Sequence, residues 1–222
     1  MVRDYPHLLG HMVGKTKLTS LHSDWIKLIW DTPAGEHASL MSHRGAYKTT
    51  AITECGIIYH LLFHPSDRIA LIRETYTEAA KTLDTIKKYM ESPAIKSLFT
   101  YAHQGVEPKA TKSPEGSVLY NFKQSITKEN SVDAYGINQV PTGSHYDRIL
   151  CDAGSNAESD DTQISVFHHK LFPHGFVLFH NLIALVALEV LHFQLIGLQV
   201  QGVDNVVLAF ALGTGQGPGL LV

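Results

Sequence analysis

The chain has 222 residues, with 18 Lys and Arg against 21 Asp and Glu, for a formal net charge of −3 at pH 7. That length suits one domain of ordinary size, or one and a fraction, and a near-neutral balance lends no support to strong binding of nucleic acid by charge alone. Only two cysteines are present, Cys55 and Cys151, expected as buried reduced thiols, and no Cys/His spacing reads as a zinc site.

The charge total conceals a break. Residues 1–152 hold 17 Lys/Arg and 16 Asp/Glu, net +1, whereas residues 153–222 hold one lysine and five acids, net −4; together these give −3. From Leu171 onward only Glu189 and Asp204 are charged. The expected organisation is an arm at 1–20, a core at 21–152, and an apolar tail at 153–222 that is unlike the core and reads as foreign to it, by frameshift or fusion.

Met1 to Gly14 lacks the apolar run of a secretory signal, which points to a cytosolic chain. Met1 to Ser20 is mixed and expected to be loosely ordered. His22 to Trp30 has the pattern of a short buried helix, with Ser23 or Asp24 as N-cap. Trp25 within it either packs in the core or flanks the base of a bound nucleotide.

Ala38 to Met41 is a short apolar run that predicts a strand, and Ala51 to Phe63 is an amphipathic run that predicts a helix ended by Pro65. Between them lies Ser42-His43-Arg44-Gly45-Ala46-Tyr47-Lys48-Thr49-Thr50. A strand, a tight loop and a helix opening on Lys-Thr can hold a phosphate chain, because loop N–H groups and the positive end of the helix converge there. Lys48 would reach the terminal phosphates and the Thr49 hydroxyl would ligate Mg²⁺. The glycine positions of the phosphate-loop pattern hold Ser42 and Tyr47 instead, so only Gly45 supplies free torsion. An ordinary strand-to-helix turn with a solvated lysine fits the same letters. Gly14-Lys15-Thr16 is a decoy, with no strand pattern before it.

Arg68 to Arg73 reads as a buried strand, and Thr75-x-x-Glu78 as a capping box opening a helix that Pro93 closes. This alternation argues for a parallel α/β sheet. Thr100 to Gly116 is expected as a loop, Ser117 to Phe122 as a strand paired with Ser131 to Ile137, and Tyr146 to Asp152 as an apolar strand ending in an acid. Such an acid beside a phosphate loop helps to hold Mg²⁺; alone, it is a turn residue.

Five segments in this order resemble the large subunit of tailed-phage terminases, the motors that push DNA into a prohead. They are Leu21 to Ile26, His43 to Thr50, Ile72 to Thr75, Lys128 to Ser131, and Thr142-Gly-Ser-His-Tyr-Asp-Arg-Ile149 running into Asp152. The resemblance implies a three-layer α/β phosphate-loop ATPase core of the ASCE type with a mainly parallel sheet, left incomplete after the strand that ends at Asp152. It implies ATP and Mg²⁺ as ligands, with Lys48 and Thr49 as phosphate and metal contacts, Arg44 as a sensor of the γ-phosphate, and Asp152 as the first acid of the metal-binding pair. Double-stranded DNA, a portal protein, a terminase small subunit and a homo-oligomeric ring are the implied partners, in the cytoplasm of an infected bacterium.

The chain departs from that pattern at one decisive place. Where the family has a second acid directly after the first, this sequence has Ala153, and nothing later resembles the family's coupling motif or nuclease acids. Without a group to orient the attacking water, hydrolysis should fall by orders of magnitude; Asp160 or Asp161 could take that part only if the loop after Asp152 folds back. A non-catalytic nucleotide-binding module is therefore the rival reading. Gly175 to Val200 is long and apolar enough for a tail anchor, but it carries His180, Asn181, Glu189, His192, Gln194 and Gln199 and lacks flanking basic residues.

Overall fold

The computed structural model describes residues 1–33, 35–43, 45–125, 127, 129–139 and 144–153, with the backbone alone for Ala153, 161–168 and 209–211. Arg44, Lys128, Thr142, Gly143, the apolar stretch at 175–200 and the glycine-rich residues 213–219 lie outside the described residues.

The N-terminal twenty residues are ordered and built into the core, contrary to expectation. Helix α1 (His7–Met12) buries Leu9, and the following turn buries Leu18, both in the main hydrophobic cluster. Helix α2 (Ser20–Trp30) begins one turn earlier than predicted, with Thr19 as N-cap instead of Ser23 or Asp24. Ser23 is instead buried, its hydroxyl accepting from the His7 backbone N–H at 3.0 Å. Strand β1 (His37–His43) leads through the loop into a helix whose first part, Thr49–Cys55, is π-helical and whose second, α3 (Gly56–Phe63), is α-helical.

Strand β2 (Ile69–Arg73) and helix α4 (Tyr76–Met90) follow as predicted, with the Thr75 hydroxyl accepting from Glu78 N–H at 3.3 Å. Pro93 does close α4, but it also opens α5 (Pro93–Ala102) at the first helical position, which favours proline because that N–H needs no intrahelical partner. The expected loop at 100–116 accordingly shortens and contains strand β3 (Ala110–Lys112). Strands β4 (Ser117–Tyr120), β5 (Val132–Gly136), β6 (Arg148–Ala153), β7 (Asp161–His168) and β8 (Ala209–Ala211) complete the sheet, in the order β3-β4-β5-β2-β6-β7-β1-β8.

The fold is α/β with a mixed sheet, not a mainly parallel one. Strand β2 pairs in parallel with β5 on one side and β6 on the other, while β4–β5, β6–β7, β7–β1, β1–β8 and β3–β4 are antiparallel. The reason is connection length. Only residues 154–160 separate β6 from β7, too few for the dozen or more that a parallel crossover needs. Two reversals, β6 to β7 and β7 to β1, leave β1 running in the same direction as β6 and β2. The carboxyl ends of all three therefore share one edge.

The sheet's two faces differ. Ile69 and Leu71 of β2 join one large cluster with the helices, whereas Ala70 and Ile72 face a small one with Ile149, Tyr146, Tyr135 and Cys151, which no helix residue joins. Among the described residues the expected three layers are thus two. No helix of the described residues is long and apolar enough to cross a membrane.

Candidate functional site

The predicted strand, loop and helix form as the sequence reads. His43, exposed, ends β1, and Gly45, also exposed, adopts φ +86°. Tyr47 stands where a phosphate-loop pattern has its second glycine, and it adopts φ +55°, the left-handed conformation that glycine would supply. The missing glycine therefore leaves the backbone shape intact and adds a local strain of about 1 kcal/mol. Lys17 lies 5.7 Å from the Tyr47 ring centroid, a cation–π contact over the exposed ring.

Lys48 is only 4 % exposed, and its Nζ donates to the Ser42 carbonyl at 2.6 Å. The side chain folds back across the mouth of its own loop. Among the described residues, helical bonding begins with Ala51 N–H donating to the Tyr47 carbonyl at 2.8 Å. Thr49 and Thr50 are half-buried at that terminus.

Asp152, 103 positions away in sequence, meets this helix because β6 and β1 end on the same edge. It is 3 % exposed. Thr53 donates to its Oδ2 at 3.1 Å, and Thr49 reaches its Oδ1 at 3.5 Å, the outer limit of a hydrogen bond. Arg73 ends β2 in register with Asp152, and its Nε stands 3.7 Å from Oδ2, without a hydrogen-bond acceptor. The same guanidinium donates through Nη1 to Thr82 of α4 at 3.0 Å. A buried carboxylate is tolerable here because two hydroxyls and one cation surround it.

Glu54 is the next acid along the helix, and its pKa is raised by burial foremost, with the Asp152 charge adding to the rise. It accepts a hydrogen bond from Tyr89 at 3.0 Å. Cys55 and Cys151 are free thiols, both pushed up to about 12 by burial, and neither is a nucleophile at neutral pH.

The sequence-predicted residues divide cleanly. Ser42, Lys48, Thr49 and Asp152 come together at one strand edge, with Gly45, Ala46 and Tyr47 shaping the loop between them. Trp25 is 4 % exposed and belongs to the hydrophobic cluster, and its ring meets that of His22 edge-on. Arg44 lies outside the described residues. Thr53, Arg73 and His22 were not singled out from the sequence. Thr53 follows Thr49 at i+4 and Arg73 lies at a strand's carboxyl end, so periodicity combined with strand order carried the signal for both.

A hydroxyl beside a carboxylate suits Mg²⁺, which takes one or two protein ligands and fills its octahedron with water and phosphate oxygens. Among the described residues no cluster of three or more His, Cys, Asp or Glu offers a closed protein cage, and such an ion requires none. Comparison of the chain with protein-family models, with curated proteins and with solved structures gives no match.

Proposed function

We propose that the chain binds ATP with Mg²⁺ at the β1 loop and is the ATPase portion of a viral DNA-packaging motor, impaired in hydrolysis. The observation that carries this reading is the meeting of Thr49 and Asp152 at a strand edge capped by a loop whose lysine is buried against the Ser42 carbonyl. Phosphate would take the place of the Ser42 carbonyl as partner of Lys48, which needs only rotation about its flexible stem. Thr49 and Asp152 would hold the ion that bridges the phosphates, whose chemistry is to neutralise charge on the leaving oxygens. Thr53 and Arg73 keep the Asp152 carboxylate oriented for that purpose.

Ala153, directly after Asp152, cannot orient a water, so the position that would hold the nucleophile in place is lost there; the next acid whose backbone is described, Asp161, opens β7 opposite His43 on the same edge. Double-stranded DNA, a portal, a small subunit and a ring of like chains, in the cytoplasm of an infected bacterium, are partners and place proposed from sequence resemblance. The second reading, a nucleotide-binding module without turnover, is favoured by the same alanine.

Calorimetric titration with ATP in the presence and absence of Mg²⁺, with phosphate release followed in parallel, tests the proposal. Magnesium-dependent binding that weakens about tenfold or more in Lys48→Ala, with release far below that of a working motor, is the expected result. Absence of ATP binding would overturn the nucleotide site, and rapid phosphate release would overturn the impairment. DNA-stimulated release, however slow, separates the motor from the pure binding module.

A further inference from the structure

Among the described residues, one side chain joins the N-terminal helices directly to the loop. His22 lies in the first turn of α2, and Thr19 N–H donates to its Nδ1 at 3.0 Å. With Nδ1 accepting, the ring is neutral and its proton sits on Nε2. That Nε2 lies 3.2 Å from the Ala46 carbonyl, so it donates to the loop. His22 is buried, and the Trp25 ring, 5.1 Å away centroid to centroid, holds the imidazole from the side. Burial lowers the His22 pKa, while the hydrogen bond to Ala46 acts the other way. The neutral form is the one that serves both bonds.

The Ala46–Tyr47 peptide is trans, as are all the others described. Its carbonyl and its N–H therefore point in opposite directions. A carbonyl fixed on His22 turns the Tyr47 N–H away from α2. Gly45 and Tyr47, both at positive φ, flank the residue so fixed.

We infer that His22 is a positioning residue for anion binding: by holding the Ala46 carbonyl, it presents the Tyr47 N–H to a bound phosphate. The inference rests on the nucleotide reading above and adds a part that no phosphate-loop pattern contains. The imidazole touches no phosphate itself. It keeps a strained loop, with a tyrosine in a glycine's conformation, from turning its peptide over and placing a carbonyl oxygen where an anion must sit.

Two substitutions separate the loop contact from the helix cap. Asparagine places a polar atom where Nδ1 stands and nothing where Nε2 stands, whereas glutamine does the reverse. In the full chain, calorimetry with Mg²⁺ and ATP should show His22→Asn weakened about tenfold or more with near-native thermal stability, and His22→Gln within about threefold of the parent. Hydrogen exchange of the loop amides gives an independent readout: Tyr47 N–H should exchange faster in His22→Asn and not in His22→Gln. Equal behaviour of the two variants, in affinity or in exchange, would overturn the inference. Should the parent bind no ATP, the nucleotide reading falls, and the exchange comparison still decides whether His22 fixes the loop.

Discussion

Tyr47 carries the sharpest conflict between residue type and backbone. A β-branched side chain in the left-handed region crowds the backbone more than an aromatic one, whereas glycine does not crowd it at all. Tyr47→Val should therefore lower stability by about 1–2 kcal/mol, and Tyr47→Gly should leave it near or slightly above the parent, read as thermal midpoints of the two variants side by side. Asp152 makes the second prediction at this scale. Asp152→Asn keeps the shape but leaves the Arg73 Nε facing a neutral amide, so a loss of about 3 kcal/mol in urea-induced unfolding is expected, together with loss of the magnesium dependence of ATP binding. In Thr53→Val the carboxylate loses one donor and keeps its charge partner, and the cost should be nearer 1 kcal/mol.

The π-helical segment shows why the element was only partly legible. Ala51, Ile52 and Cys55 are buried as the helical pattern predicts, but nothing in that pattern marks a wide turn. The cause lies elsewhere in the chain. Gly56 N–H bonds to the Ala51 carbonyl and skips that of Ile52, which instead accepts the Trp30 indole N–H at 2.8 Å. A Cβ on Gly56 would collide with Trp30 Nε1, so the indole sits where any larger residue would be. Gly56→Ala should cost about 3 kcal/mol or more by chemical denaturation. In a Trp30→Phe background the added cost should be smaller, because the nearest atom is gone; additive costs would refute a shared cause. Local signals failed in the same way at Pro93, which reads equally as the stop of α4 and the start of α5, and at Thr19, where three polar residues compete for one cap. The strand-loop-helix unit at 37–63 and the strand ending at Asp152 were legible because apolar runs and a Lys-Thr pair are local. The partners Thr53, Arg73 and His22 depend on strand order and helix placement, which no window of sequence contains.

At the scale of the whole molecule, the buried base His60 makes a large contribution to the response to acid. His60 is 1 % exposed, packed on Trp30 and donating from Nε2 to Asp67 at 2.9 Å. Burial lowers its pKa from 6.5 to about 4, against the Asp67 hydrogen bond, which raises it. The unfolded chain thus binds a proton at a pH where the folded one does not, and stability falls as pH drops through the window from about 6.5 to about 4. The full loss is on the order of 3 kcal/mol, and His60→Gln should flatten the denaturation curve across that window while titration above pH 7 stays unchanged. The mixed sheet, by contrast, was not legible, because the antiparallel turn from β6 into β7 follows from a short connection instead of from residue type. The wide turn after the loop has a last consequence. An i→i+5 ring encloses one residue more than an α-helical ring, so this helix carries a surplus residue that its span does not need. Removing one residue from 50–54 would let it close as a regular α-helix over the same span, and removing a second would turn everything before it by about 100°. With that second removal Lys48 and Thr49 would swing off the edge where Asp152 stands. Here the chain tolerates exchange of one apolar side chain for another far better than a change in its count.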